Sequence, residues 1–194
     1  MIKQTQKRSI ETRAKLLRTA KEVIAAHGYG AMRVEEIVKT AGVAKGTFFA
    51  HFKDKDALMD LIIGAEINAL LDDAENGTDP QNLDELVLRL QPLMNFMTSE
   101  RYIFDVIVRH SGAAVKEEIG PIAQTFERTI VIASQWLAKG NFRKDVADVL
   151  LAEGIQAFAV QAMALHFCAI NNKEEMHSRF KTYLQAWLTP SSQT

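Results

Sequence analysis

Apolar positions along the chain recur every three or four residues rather than every second one, so the pattern predicts helices and no strand of useful length. From Ser9 to His27 the residues Leu16, Ala20, Val23, Ile24 and His27 share one face, with Ser9 placed to cap the start and Gly28 to stop the end. A short helix from about Val34 to Ala41 buries Val34, Ile37 and Val38 and ends at Gly42. A third begins near Ala44 and carries Phe48, Phe49 and Phe52. A fourth opens at Lys53 or Asp54, and its stripe Leu58, Leu61, Ile62, Ala65 and Ala69 runs toward Leu71. The cluster of Asn, Gly, Asp and Pro between Glu75 and Asn82 predicts a loop. Beyond it lie Leu83 to Thr98, which Pro92 should kink or divide, and Tyr102 to His110, ended by Gly112. Pro121 suits the first position of a helix running to Ala138 with Gly140 as its stop, and a last helix is expected from about Lys173 to Leu188.

Between these two is the most apolar stretch. From Leu150 to Ile170 the only polar side chains are Glu153, Gln156, Gln161 and His166, so a helix here is apolar around nearly its whole circumference and must be covered all round. A length of about 20 residues would also suit a bilayer, but Glu153, Gln156 and Gln161 are costly in lipid and no Lys or Arg cluster flanks the segment. The expectation is therefore no membrane, with one side of the helix on its own domain and the other on a second subunit. Ala152, Gly154, Ala159, Ala162 and Ala169 would permit close approach at that interface.

The 194 residues are 47% hydrophobic and 24% charged, as in soluble globular proteins of one large domain or two small ones. The single cysteine, Cys168, excludes an intramolecular disulfide and a Cys-based zinc site and points to a reducing, cytoplasmic setting. The polar N-terminal run carries no apolar stretch of targeting length. Charge is unevenly spread: residues 1–60 hold 12 Lys or Arg against 7 Asp or Glu, a balance of +5, and the remainder 11 against 17, or −6. A basic first third on an acidic remainder suggests different partners for the two parts, with a polyanion as the candidate for the first.

Val34 to Leu58 gives that partner a form. A helix, a tight glycine-containing turn and a second short helix make a helix-turn-helix, about 34–53, whose second helix enters the DNA major groove. Phe48 and Phe52, four apart, can be buried together, which leaves Lys45, Thr47, Phe49 and His51 to project outward in varying degree. Gly46 would let the backbone approach the duplex, Thr47 can offer a hydroxyl to phosphate or a methyl to thymine, and Lys45 can reach phosphate or guanine.

The run from Gly28 to Leu58 resembles the DNA-binding signature of the TetR family of bacterial transcriptional regulators, whose middle reads AGV-x-KG-T, then aromatics, then F-x-x-K-x-x-L. The matching residues are Ala41, Gly42, Val43, Lys45, Gly46, Thr47, Phe52, Lys55 and Leu58, and the likeness is specific over about Arg13 to Leu61. The resemblance implies an all-α homodimer. An N-terminal three-helix domain, residues 1–55, would bind a double-stranded DNA operator, and a larger helical domain, residues 56–194, would bind a small-molecule effector and dimerise through its last two long helices. Carried over by position, the DNA contacts are Arg33, Lys45, Gly46, Thr47, Phe49 and His51, with Lys53 and Lys55 on the backbone, Lys55 being favoured by its place at a helix start. Arg33 stands where Thr or Ser often caps the second helix, and Phe49 where Tyr is usual, which removes one phosphate contact. Lys3, Lys7, Arg8 and Arg13 read as a flexible arm, either touching DNA or simply solvated.

For an effector, polar residues in apolar helices are the informative ones: Arg109, His110, Gln161 and His166, with Phe104, Phe126 and Phe158 as apolar lining. The enzyme class finds little support, because no G-x-S-x-G, P-loop, G-x-G-x-x-G or H-E-x-x-H occurs and the five histidines lack metal-ligand spacing. The remaining alternatives are an acid-base or metal site built from His110, His166 and Glu153, and a DNA-binding dimer without effector. No cofactor or metal is expected.

Overall fold

The computed structural model describes residues 2–111, 119–171 and 173–189, with the backbone alone for residues 2–5; the expected stop at Gly112 lies outside the described residues. Among the described residues there are nine helices and no strand: α1 (Ile2–His27), α2 (Val34–Ala41), α3 (Lys45–His51), α4 (Lys55–Asn76), α5 (Leu83–Met97), α6 (Arg101–His110), α7 (Pro121–Lys139), α8 (Asp148–His166) and α9 (Met176–Leu188). The fold is all-α, as the periodicity predicts.

α1 does not begin at Ser9. Its polar opening turns are made of good helix formers, with Lys7 and Glu11 paired at 4.0 Å and Thr12 Oγ1 donating back to the Arg8 carbonyl at 2.8 Å, so the helix extends seven residues earlier. Lys3, Lys7, Arg8 and Arg13 therefore belong to a helix and not to an arm. Leu16, Ala20, Val23 and Ile24 are buried against α2 and α4.

α4 is capped by Asp54, whose carboxylate accepts from the Ala57 amide at 2.8 Å. Its buried face is rotated from the expected stripe: Met59, Ile63 and Ile67 join Leu58, Ile62 and Leu71 in the core, while Ala65 and Ala69 are exposed. The reason is that α4 is covered on more than one side, by α5, α6 and α7. At Gly64 the backbones of α4 and α7 come so close that a Cβ would stand 2.7 Å from Pro121 Cβ.

Pro92 neither divides α5 nor ends it. The ring lies on the exposed side, where Leu88 one turn earlier is 67% exposed, so water can replace the backbone bond that proline cannot donate. Pro121 opens α7 as expected.

α8 stops at His166, four residues short of Ile170. Arg101 Nη1 takes the Phe167 carbonyl at 3.4 Å and Arg179 Nη2 the Asn171 carbonyl at 2.7 Å, satisfying acceptors that a longer helix would have paired. The helix is long and apolar enough to cross a membrane, yet it packs on α7 along one side and α9 along another. Small residues take part in that internal packing. Ala152 and Ala162 are buried, and a Cβ at Gly154 would collide with the Trp187 indole, whose Nε1 donates to the Leu151 carbonyl at 3.1 Å. Ala169 lies beyond the helix end.

Candidate nucleic-acid interface and effector cavity

Arg33 occupies the N-cap of α2 with no side-chain hydrogen bond to the helix, so the first turn keeps unsatisfied N–H groups, as its sequence position suggests. The turn into α3 depends on Gly42, at φ +63°, in the left-handed region that other residues seldom adopt. With Gly42 so placed, its amide reaches the Lys39 carbonyl at 3.1 Å and the Val43 amide the Val38 carbonyl at 3.0 Å.

α3 is anchored from below. Phe48 is fully buried and lies 5.4 Å, ring to ring, from Phe52, which is 3% exposed; burial of each such side chain stabilises by about 2 kcal/mol. Arg13 completes the anchor. Its guanidinium lies 4.5 Å over the Phe52 ring and its Nη1 donates to the His51 carbonyl at 2.8 Å, tying α1 to the last turn of α3.

The anchor fixes which residues point out. Lys45, Gly46, Phe49 and Ala50 are exposed at spacings of one, four and five, a single strip, and Lys53 continues it beyond the helix. Thr47 and His51 are half-buried at its edges. A Cβ at Gly46 would meet nothing within 4 Å, so the strip is flat there. Phe49 rises beside it, 48% exposed and edge-on to Phe48 at 5.3 Å.

Two of the cationic candidates are already engaged. Lys45 Nζ binds Glu35 Oε1 at 2.6 Å, and this hydrogen bond is the chief reason the exposed Glu35 carboxyl stays below its ordinary range. Lys55 Nζ donates to the Met32 carbonyl at 2.9 Å and sits 4.5 Å from the Tyr102 ring centroid. Burial lowers the Lys55 pKa, Arg33 adds to the shift and Asp56 opposes it. Lys55 thus faces inward, toward α6.

α6 touches both the reading head and the body. Glu100, at its N-terminus, accepts from the amides of Tyr29 at 2.9 Å and Gly30 at 3.0 Å, in the loop between α1 and α2. At the other end Arg109 pairs with Asp56 at 3.4 Å and His110 Nδ1 stands 3.7 Å from Asp60 Oδ2. Asp60, 8% exposed, also accepts from the Ile122 amide at 3.0 Å, so α4, α6 and the start of α7 meet at one carboxylate.

A cavity opens between α5, α7 and α8. Its walls include Leu93 and Met97, Phe126 and Thr129, and Gln156 and Met163, and the space between them, about 420 Å³ with the part open to solvent counted in, is narrow. Among the described residues no charged side chain lines it. Gln156 Oε1 is buried without a hydrogen-bond partner.

Of the seven residues the sequence suggests for an effector, Phe126 alone lines this cavity. Arg109 and His110 turn to α4. Gln161 is exposed, and so is His166, whose ring lies 5.0 Å from that of Phe167. Phe104 is buried against Phe167, and Phe158 packs on Tyr183 and Trp187 of α9. The four polar candidates therefore do not converge, and His110, His166 and Glu153 do not form one site. Among the described residues no group of three or more His, Cys, Asp or Glu side chains is placed to hold a metal ion.

The fold and its exposed strip define a class: a helix-turn-helix DNA-binding head on an all-helical body. Residues 16–62 match the family model described as bacterial regulatory proteins, tetR family. Over 143 residues the chain is 28% identical to an uncharacterized HTH-type transcriptional regulator, YvdT, of Bacillus subtilis (strain 168), the match covering 74% of this chain and 71% of that one. It is 26% identical over 147 residues to the fatty acid metabolism regulator protein of the same organism, covering 73% and 67%. The crystal structure of Thermus thermophilus FadR, a TetR family transcriptional repressor in complex with lauroyl-CoA, shares the fold with a TM-score of 0.62 at 17% identity, over 94% of this chain and 98% of that one. Residues 16–62 thus carry a DNA-binding domain of the tetR-family type, and the chain as a whole is similar to transcriptional regulators of that family.

Proposed function

We propose that the protein is a ligand-responsive repressor that binds a palindromic operator as a homodimer in the bacterial cytoplasm, its DNA-binding domain ending near residue 55 and its effector and dimerisation domain following from 56. The observation that carries this reading is the double grip of α6: one helix binds the α1–α2 loop through Glu100 and α4 through Arg109 and His110, so a change in the body is felt at the head. Lys45, Gly46 and Phe49 face the bases, with Thr47 and His51 at the edges and Arg33 and Lys53 on phosphates. Lys55 sets the angle of the head. A second copy covers the outer side of α8, where Val149 and Leu150 are 54% and 51% exposed and Ala157 and Gln161 lie open. The cavity receives the effector, its apolar walls suited to a chain such as the lauroyl group of the ligand bound by the Thermus protein.

An effector acts here only by binding one spacing of the two heads better than the other, and release of DNA follows from that difference. The test is selection of bound duplexes from a random pool, followed by titration of the winner at several salt concentrations. A palindrome with half-sites about one helical turn or a multiple apart and a steep salt dependence is the expected result. Enrichment of no sequence by the folded chain, or a flat salt response, overturns the reading.

A further inference from the structure

The cavity between α5, α7 and α8 differs in its chemistry from the polar set that the sequence offers. Its walls are aliphatic, aromatic and thioether, and among the described residues the only polar side chains lining it are Thr129 and Gln156. The Thr129 hydroxyl already donates to the Thr125 carbonyl at 2.7 Å. That leaves the Gln156 oxygen as a buried acceptor that faces no donor, in surroundings where such a group is seldom left unpaired. Water is a poor answer, because a buried water is retained by about two to four polar partners and this cavity supplies few.

We infer that this cavity binds an uncharged amphiphile, an apolar chain or ring carrying one hydrogen-bond donor, and that the Gln156 side-chain oxygen accepts that donor. The inference rests on the ligand-responsive reading given above and names the chemistry of its effector. A carboxylate is the wrong head group for this wall: it would bring negative charge to a carbonyl oxygen with no cation among the described lining residues to compensate. The apolar part has a pliable seat. Met94, Met97 and Met163 all line the space, and unbranched thioether side chains repack at little cost, so the narrow free volume widens around a ligand.

The test uses two isomers and an anion. 1-Octanol and heptyl methyl ether have the same atoms, but only the alcohol donates a hydrogen bond; octanoate supplies the charged head. Binding to the full-length chain is read from thermal stabilisation at graded ligand concentrations, without DNA. The alcohol should bind about 3- to 10-fold more tightly than the ether, the difference one neutral hydrogen bond makes, and octanoate should bind least. In Gln156→Leu the preference should fall to about one while the ether keeps its affinity; if that variant does not fold, Gln156→Met serves with the same readout. Equal binding of the isomers by the natural chain, an unchanged preference in the variant, or octanoate as the tightest ligand overturns the inference. Duplex release is measured separately: a Gln156-dependent preference for the alcohol with unaltered operator affinity upholds this site and removes the ligand response from the proposed function.

Discussion

Lys55 and Tyr102 form a cation–π pair at the joint between the reading head and α6, the ammonium 4.5 Å from the ring centroid, with the Met32 carbonyl accepting at 2.9 Å. A lysine at a helix start beside a recognition helix reads naturally as a phosphate ligand, but here its hydrogen bonding and its charge are turned into the protein. Lys53, two residues earlier, is exposed and unshielded by such contacts.

The two lysines should therefore behave differently toward salt. Lys53→Ala is expected to weaken operator binding and reduce the slope of log affinity against log salt by about one, the signature of one lost phosphate contact. Lys55→Ala should weaken binding with little change of slope and lower the stability of the chain by about 1 kcal/mol, because it loosens the head. Fluorescence anisotropy across a salt series, with thermal unfolding beside it, separates the two. A slope change of equal size in both variants would return Lys55 to the DNA backbone.

The same joint has a pH dependence. Burial raises the Tyr102 phenol to about 12, with Asp56 adding to the shift and Arg109 opposing it. Tyr29 is raised to about 12 by burial, then by Glu66 and Glu100. Both folded values lie above the unfolded value near 10, so the folded state favours the protonated phenol. The resulting stability is complete below about pH 10 and lost as pH rises from there toward 12. Tyr102→Phe should keep the ring under Lys55, cost little because the hydroxyl is buried without a partner, and flatten that decline. Denaturant titrations near pH 9 and pH 11 decide it, and an equally steep loss in the variant would place the effect on other groups.

Glu35 holds Lys45 at 2.6 Å on the surface that would face DNA. A carboxylate there opposes the phosphates and occupies the ammonium that could reach a base. Glu35→Gln is expected to raise operator affinity about 2- to 10-fold and to increase the salt slope by up to about one, since Lys45 becomes free to displace a counterion. Lower affinity in that variant would mean that the pair positions Lys45 for a base contact, and a duplex panel with single base changes would then show lost discrimination.

Much of this was legible in the sequence because local rules and tertiary packing agree in the head. Gly42 must be glycine where the chain takes a left-handed turn, and Phe48 with Phe52 shares the one face that can be buried. Disagreement arises where packing decides. Pro92 survives inside α5 because its side faces water, which no local pattern reports. On α8 the buried set Leu151, Ala152, Ile155, Ala162 and Met163, with Ala159 partly buried among them, follows the helical period. Gln156 falls with it and Gln161 does not, so spacing could have chosen between the two glutamines. Glu100 and Asp60 carried no such signal: each acts on backbone amides of another element distant in sequence.

Phe49 is expected to bear on base preference. It is 48% exposed at the centre of the outward strip of α3, between the flat ground at Gly46 and the small Ala50. Without a phenolic oxygen it cannot bond to phosphate, and an exposed aromatic ring in a major groove has one base feature to bury itself against, the thymine methyl. Replacing each thymine of the selected half-site in turn by deoxyuridine removes a single methyl and leaves every hydrogen-bonding group in place. At the position under Phe49 that change should weaken binding about fourfold, the worth of one buried methyl, and at the others much less. Phe49→Ala should bind more weakly and lose the distinction at that same position alone. A natural chain indifferent to every thymine methyl would move Phe49 off the bases and leave Lys45 and Thr47 to read the groove.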